Sequence, residues 1–91
     1  MARETVMTFV RTGKKPDFTI DNPKLKEPGA AFVTLHKKSD HQLRGCIGQI
    51  VATMPLWECI REMAVAAASQ DPRFTPVKEK ELDNLHIEIS V

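Results

Sequence analysis

The chain has 91 residues, a length that allows one domain with a modest hydrophobic core. Charged residues make up 27% and apolar residues 42% of the sequence, and no apolar run approaches the length of a membrane span. The composition therefore predicts a soluble protein and argues against a transmembrane one. The net charge of +1 and the pI near 7.8 give no electrostatic reason to expect nucleic acid or a membrane surface as the partner.

The two cysteines, Cys46 and Cys59, lie far apart and have no Cys-x-x-Cys or Cys/His ligand spacing. This pattern argues against a disulfide framework and against a structural zinc site. We therefore expect no metal site and no cofactor. No signal peptide is visible, so the expected compartment is the reducing cytoplasm.

The N-terminal segment predicts an amphipathic helix of about three turns. Val6, Phe9 and Val10 fall on one helical stripe, and Gly13 follows as a stop signal. Residues 14–29 are polar and contain three prolines, so they predict a surface loop. A loop of this length in a small domain is usually functional or wrapped over the body.

A β-hairpin is predicted next in the chain. Residues 30–36 are rich in β-branched and apolar side chains, residues 37–41 are polar, and Leu43–Gly48 forms the second strand. The two strands are expected to pair antiparallel.

The register of this hairpin depends on the number of turn residues, which the sequence does not fix. An even number places Cys46 on the face of Val33 and Leu35, where the thiol would belong to the core. An odd number places it on the face of Thr34 and His36, where the imidazole would lie close enough to act as its base. Both registers stay open at this point.

The hairpin's second strand, Leu43-Arg44-Gly45-Cys46-Ile47-Gly48, concentrates more potential chemistry than any other segment. Gly45 and Gly48 weaken a strand, so they suggest a bulge or a backbone that lies close to a ligand or to another element. In a regular strand Arg44 and Cys46 share a face at roughly 7 Å, and the guanidinium would lower the pKa of the thiol. The structural alternative is that Cys46 acts as a small buried hydrophobe.

The remaining elements follow from periodicity. Pro55 opens a helix that runs to about Gln70, and its apolar stripe places Cys59 in the core. Residues 78–84 predict a short charged helix or turn. Residues 85–91 alternate between apolar and polar side chains, which predicts a half-buried strand.

A rigid loop is predicted between the long helix and the short one. Pro72 and Pro76 fix its backbone, and Phe74 is its one large apolar side chain. Asp71 and Arg73 are its candidate functional residues. Arg73 would either clamp an anionic ligand or pair with Asp71.

Six blocks of the sequence together resemble the AMMECR domain family, named for an Alport syndrome chromosomal-region gene product. They are the hallmark motif Leu43–Gly48, Pro55-Leu56-Trp57-Glu58, Asp71-Pro72-Arg73-Phe74, Pro76-Val77, Glu81-Leu82 and Ile87-Glu88-Ile89-Ser90-Val91. The resemblance implies an α+β fold with antiparallel strands in a widespread intracellular family, with a ligand site or an enzymatic role suspected around the hallmark motif. Some relatives belong to a system with Memo-like and radical S-adenosylmethionine proteins, which makes such proteins candidate partners.

Domains of this family are usually nearly twice as long, and the resemblance stops in mid-strand at Val91. It therefore implies a single AMMECR-like domain over residues 1–91 that lacks the C-terminal part usual in the family. We expect such a chain to leave hydrophobic surface and a sheet edge uncovered, which would favour self-association.

The expected architecture is a two-layer α+β domain, in which helices pack on a small antiparallel sheet. The connection through the Pro55 helix is long enough for a crossover, so a mixed sheet is the alternative.

Two functional hypotheses follow. The favoured one is a non-catalytic module that binds a small ligand or a peptide at the Leu43–Gly48 strand, with Gly45, Gly48, Asp71 and Arg73 as the ligand-binding residues.

The alternative hypothesis is a thiol-dependent enzyme. Cys46 would be the nucleophile, Arg44 its electrostatic activator or the partner of an oxyanion, and His36 its base. This hypothesis is the weaker one, because no histidine or carboxylate has an assured position next to the thiol.

Overall fold

The computed structural model describes residues 1–91. The elements are α1 (Ala2–Thr12), α2 (Pro23–Lys26), β1 (Phe32–Lys37), β2 (Leu43–Gly48), α3 (Leu56–Ser69), a 3-10 helix (Glu79–Asn84) and β3 (Leu85–Ser90). None of the helices combines the length and the apolar character that crossing a membrane requires.

The three strands form one sheet in the order β2-β1-β3, with β1 in the middle. β1 pairs antiparallel with both of its neighbours. The predicted α+β fold with antiparallel strands is therefore confirmed, and the alternative of a mixed sheet does not hold. β2 and β3 are the two edge strands.

The helix α1 agrees with its sequence pattern. Gly13 ends the helix in the left-handed conformation, with φ 73°, and its N–H donates to the Phe9 carbonyl at 2.8 Å. The sequence did not predict α2 within the expected loop. The sequence does contain a helix-start pattern here, an Asn followed by a Pro. In the structure the Asn22 side chain accepts a hydrogen bond from the Lys24 N–H at 2.9 Å, and Pro23 occupies the first helical turn.

The helices α1 and α3 cover one face of the sheet, called here the inner face, on which Val33 and Leu35 are fully buried. Cys59 of α3 is also fully buried, which confirms its predicted place in the core. The opposite, outer face carries Thr34 and His36 of β1 and has no helix packed on it. The domain thus has two layers and one open sheet face.

The backbone of α3 approaches β2 closely at Gly45. A Cβ atom at this position would fall on the carbonyl oxygen of Ala67. The neighbouring α3 residues Ala64 and Ala68 are buried as well, so the helix presents small side chains to the sheet. At Gly48 a Cβ would instead fall on the ring of Phe32. At both glycines the close neighbour is thus another part of the protein: the α3 backbone at Gly45 and the Phe32 ring at Gly48.

We expect Gly45→Ala to lower the free energy of unfolding by about 1–3 kcal/mol, because its methyl group meets helix backbone that cannot turn aside. Gly48→Ala is the matched variant and should cost less, since the Phe32 side chain is 42% exposed and is free to rotate. Urea denaturation of both variants measures the difference. Equal stabilities would show that Gly45 does not serve the close approach of α3.

Candidate functional site

The pairing of β1 with β2 places Cys46 on the outer face of the sheet. Cys46 lies opposite Thr34 and Gly45 opposite Leu35. Of the two registers open to the sequence, the structure adopts the one that puts the thiol on the side of Thr34 and His36. Gly45 faces the other way, toward the backbone of α3. Its role in ligand binding stays a prediction.

Cys46 is half-buried, and its Sγ lies 3.3 Å from the hydroxyl oxygen of Thr34. His36 does not bond the thiol; its Nδ1 lies 3.3 Å from the carbonyl oxygen of His41. No carboxylate oxygen is hydrogen-bonded to the sulfur either. No hydrogen bond therefore supports the predicted role of His36 as the base of Cys46.

Arg44 occupies a β-bulge, since Leu43 pairs with His36 and Gly45 with Leu35, which leaves Arg44 without a partner on β1. The strict alternation expected for the motif is interrupted there.

The Arg44 side chain is buried against the short 3-10 helix and the loop after α3. Its Nε and Nη2 donate to the two carboxylate oxygens of Glu81 at 3.2 and 3.1 Å, and its guanidinium lies 6.0 Å from the centre of the Phe74 ring. Burial by itself would raise the pKa of Glu81, but the Lys78 N–H and Arg44 outweigh it and lower that pKa. Arg44 therefore forms a buried ion pair with Glu81, and its role as activator of Cys46 stays a prediction.

Asp71 connects the loop after α3 to the free edge of β2. Its Oδ2 accepts from the Cys46 N–H at 3.0 Å and from Arg73 Nη2 at 2.8 Å, while its Oδ1 accepts from Arg73 N–H and Nε, each at 3.0 Å. Hydrogen bonding by Arg73 holds the pKa of Asp71 well below its usual range. Of the two roles open to Arg73, pairing with Asp71 is the one observed.

Arg73 and Cys46 share the carboxylate of Asp71, because Arg73 Nη2 and the Cys46 N–H both donate to its Oδ2. The Arg73 side chain is 56% exposed, lies 5.4 Å from the centre of the Phe74 ring, and is within electrostatic range of Cys46. The hydrogen bond to Asp71 raises the pKa of Arg73 further. Sequence spacing gave no signal for this proximity, because it depends on where the loop after α3 meets the edge of β2.

The outer face also holds a cavity of about 380 Å³ near the β1–β2 turn, lined by His36, Lys38, His41, His86 and Glu88. His36 and His86 lie directly opposite each other on β1 and β3. His86 Nε2 is 3.3 Å from a carboxylate oxygen of Glu88, whereas Lys38 forms no ion pair. Only His36 of this group is a candidate site residue from the sequence. His86 and Glu88 lie near it only because β3 pairs with β1.

The turn that carries Lys38 and His41 is held in place by Asn84, the residue before β3. The Lys38 N–H donates to the Asn84 carbonyl at 2.7 Å, and the Ser39 N–H donates to its side-chain oxygen at 3.0 Å. His41 adopts a positive φ of 59°, and its N–H donates to the Lys37 carbonyl at 2.8 Å. One wall of the cavity is therefore preformed. No group of three or more His, Cys, Asp or Glu side chains is arranged to hold a metal ion.

The Asp71 hydrogen bonds predict an acid-sensitive fold. Because folding lowers the Asp71 pKa, the stabilisation is present above the ordinary carboxyl pKa of about 3.9 and is lost as the pH falls below it. We expect the Tm of the native chain to fall more steeply between about pH 5 and pH 2 than that of Asp71→Asn. Asp83→Asn, at an exposed carboxylate without an ion pair, is the control and should keep the native slope. Parallel slopes for all three chains would contradict this role of Asp71.

The two thiols are expected to differ in reactivity. Cys59 has no exposed surface, whereas Cys46 is half-buried on the open face. A limiting amount of iodoacetamide should therefore modify Cys46 well before Cys59 in the folded protein, as read by peptide mass spectrometry. Slow labelling of both at the same rate would mean that the Cys46 thiol is inaccessible.

The chain is similar in sequence and in structure to several known proteins. A protein of Aeropyrum pernix is 44% identical over 93 residues, an alignment that covers 100% of this chain and 40% of the relative. A protein of Thermotoga maritima is also 44% identical, covering 99% of this chain and 53% of the relative. The crystal structure of the uncharacterized protein PH0010 from Pyrococcus horikoshii superposes with a TM-score of 0.91 at 40% identity, covering 99% of this chain and 46% of that one.

The chain thus spans about half the length of these relatives. The AMMECR1 family model matches residues 1–91, so the match includes the motif strand, α3 and the Asp71 loop. The chain belongs to the AMMECR1 family.

Proposed function

We propose that the chain is a binding module for a small ligand and that its site is the outer face of the sheet. The observation that carries this proposal is the cavity near the β1–β2 turn, whose lining side chains are all polar or charged. This face has no helix packed on it, and one cavity wall is preformed by the bonds to Asn84. Concave sites with a few converging polar groups are typical of ligand recognition.

A peptide added to the edge of β2 fits the structure less well. Asp71 already occupies the Cys46 N–H on that edge, and such backbone groups are what an added strand would need. The inner side of β2 is closed by α3 at Gly45. A ligand that contacts the motif strand would therefore approach it from the outer face, where Cys46 and Thr34 lie next to the cavity.

The charges in the cavity favour an anionic ligand. Lys38 is a cation without a carboxylate partner, while the carboxylate of Glu88 is next to His86. His36 and His41 add ring nitrogens that donate hydrogen bonds to oxygen. A carboxylate or phosphate group placed among these side chains would meet several donors at once.

Titration with inorganic phosphate, followed by two-dimensional NMR of the full chain, tests this proposal. We expect shifts to concentrate at the turn and at β3, and Lys38→Met to weaken binding about tenfold. Lys80→Met, at an exposed lysine in the 3-10 helix, is the matched control and should bind as the native chain does. Shifts that are uniform over all lysines, or are equal in both variants, would refute a specific site.

A thiol-dependent enzyme is the second candidate, and one observation favours it. Cys46 is half-buried on the open face, with Thr34 in hydrogen-bond contact and the exposed cation of Arg73 within electrostatic range. Against it stands the missing base, since neither His36 nor a carboxylate bonds the sulfur. The binding module is therefore the better-supported function.

A further inference from the structure

The cavity on the outer face contains two charges of opposite sign that are not paired with each other. Lys38 and Glu88 both line it, yet no ion pair joins them. Lys38 has no carboxylate partner, and the one group near the Glu88 carboxylate is His86 Nε2 at 3.3 Å. This distance is longer than the roughly 2.8 Å of a strong charge-assisted hydrogen bond. The Glu88 oxygens are therefore available as acceptors for a ligand.

The sheet register places these two charges at opposite ends of the cavity. His36 pairs with His86 across β1 and β3, and Glu88 lies two residues beyond His86. Lys38 continues the ladder on the other side of the histidine pair, because its N–H donates to the Asn84 carbonyl at 2.7 Å. Four residues of an extended strand separate the two rows, which puts the Cα atoms of Lys38 and Glu88 roughly 13 Å apart. The histidine pair lies between them.

An anion alone would match only one end of this cavity. A phosphate bound to Lys38 would be attracted there and repelled by the carboxylate of Glu88. A ligand with an ammonium group at its other end would turn this repulsion into attraction, and the two charges would also fix its direction in the cavity. The Glu88 carboxylate reaches back toward His86, so the gap between the charged groups is shorter than the Cα separation. A cavity of about 380 Å³ has room for a small molecule of this kind.

We propose that the ligand of this cavity is a free zwitterionic small molecule. Its phosphate or carboxylate group binds Lys38, its amine binds Glu88, and a linker of a few carbon atoms joins the two. This inference rests on the proposed ligand function of the outer face and names the class of ligand. It assigns Glu88 the role of selecting ligands that carry an amine.

Isothermal titration calorimetry of the full chain with two isosteric probes tests the proposal. Phosphoethanolamine carries an ammonium group where propyl phosphate carries a methyl group, and both present the same phosphate to Lys38. We expect phosphoethanolamine to bind about three- to tenfold more tightly. Equal affinities, or tighter binding of propyl phosphate, would overturn the proposal and leave the anion site at Lys38 standing.

Glu88→Gln isolates the contribution of the carboxylate. We expect this variant to bind phosphoethanolamine less tightly than the native chain and propyl phosphate more tightly, because it removes an attraction in one case and a repulsion in the other. If Glu88 acted only through its shape, both affinities would change in the same direction, which would overturn the proposal. Glu4→Gln, at an exposed carboxylate on α1, is the matched control and should leave both affinities unchanged.

Lys38→Met should weaken both probes by about the same factor, since both depend on the phosphate contact. If the native chain binds neither probe, the anion site and this inference fall together. Vesicles that contain phosphatidylethanolamine offer the same two charges in a lipid headgroup. We expect no cosedimentation with them, and cosedimentation that Glu88→Gln abolishes would assign the cavity to a lipid and overturn the free small molecule.

Discussion

The position of the motif strand depends on the carboxylate of Asp71. This side chain is almost fully buried and accepts four hydrogen bonds, one from the Cys46 N–H and three from Arg73. A buried carboxylate is stable only when its lone pairs are satisfied and a cation is near, and Arg73 supplies both conditions. The consequence is that the end of α3 is attached to the edge of β2. Removing Arg73 would leave the buried carboxylate with a single hydrogen bond, from the Cys46 N–H.

Two further contacts hold β2 against the helices. On the inner side, Gly45 lets the backbone of α3 lie directly on the strand at Ala67. At the bulge, Arg44 forms a bidentate pair with Glu81, which also accepts the Lys78 N–H at the start of the 3-10 helix. Most residues of the hallmark motif thus make contacts within the protein. What the motif presents to the outside is Cys46, next to Thr34.

Periodicity predicted much of the fold, because burial of one face imposes it on the sequence. The bounds of β2 agree with the motif Leu43–Gly48, and the long helix and the last strand were recognised from their apolar repeats. The glycines of the motif suggested a bulge in this strand, but its place at Arg44 could not be predicted, since it depends on how many residues the turn takes. The cavity was missed for a similar reason: His86 and Glu88 reach His36 only because β3 pairs with β1.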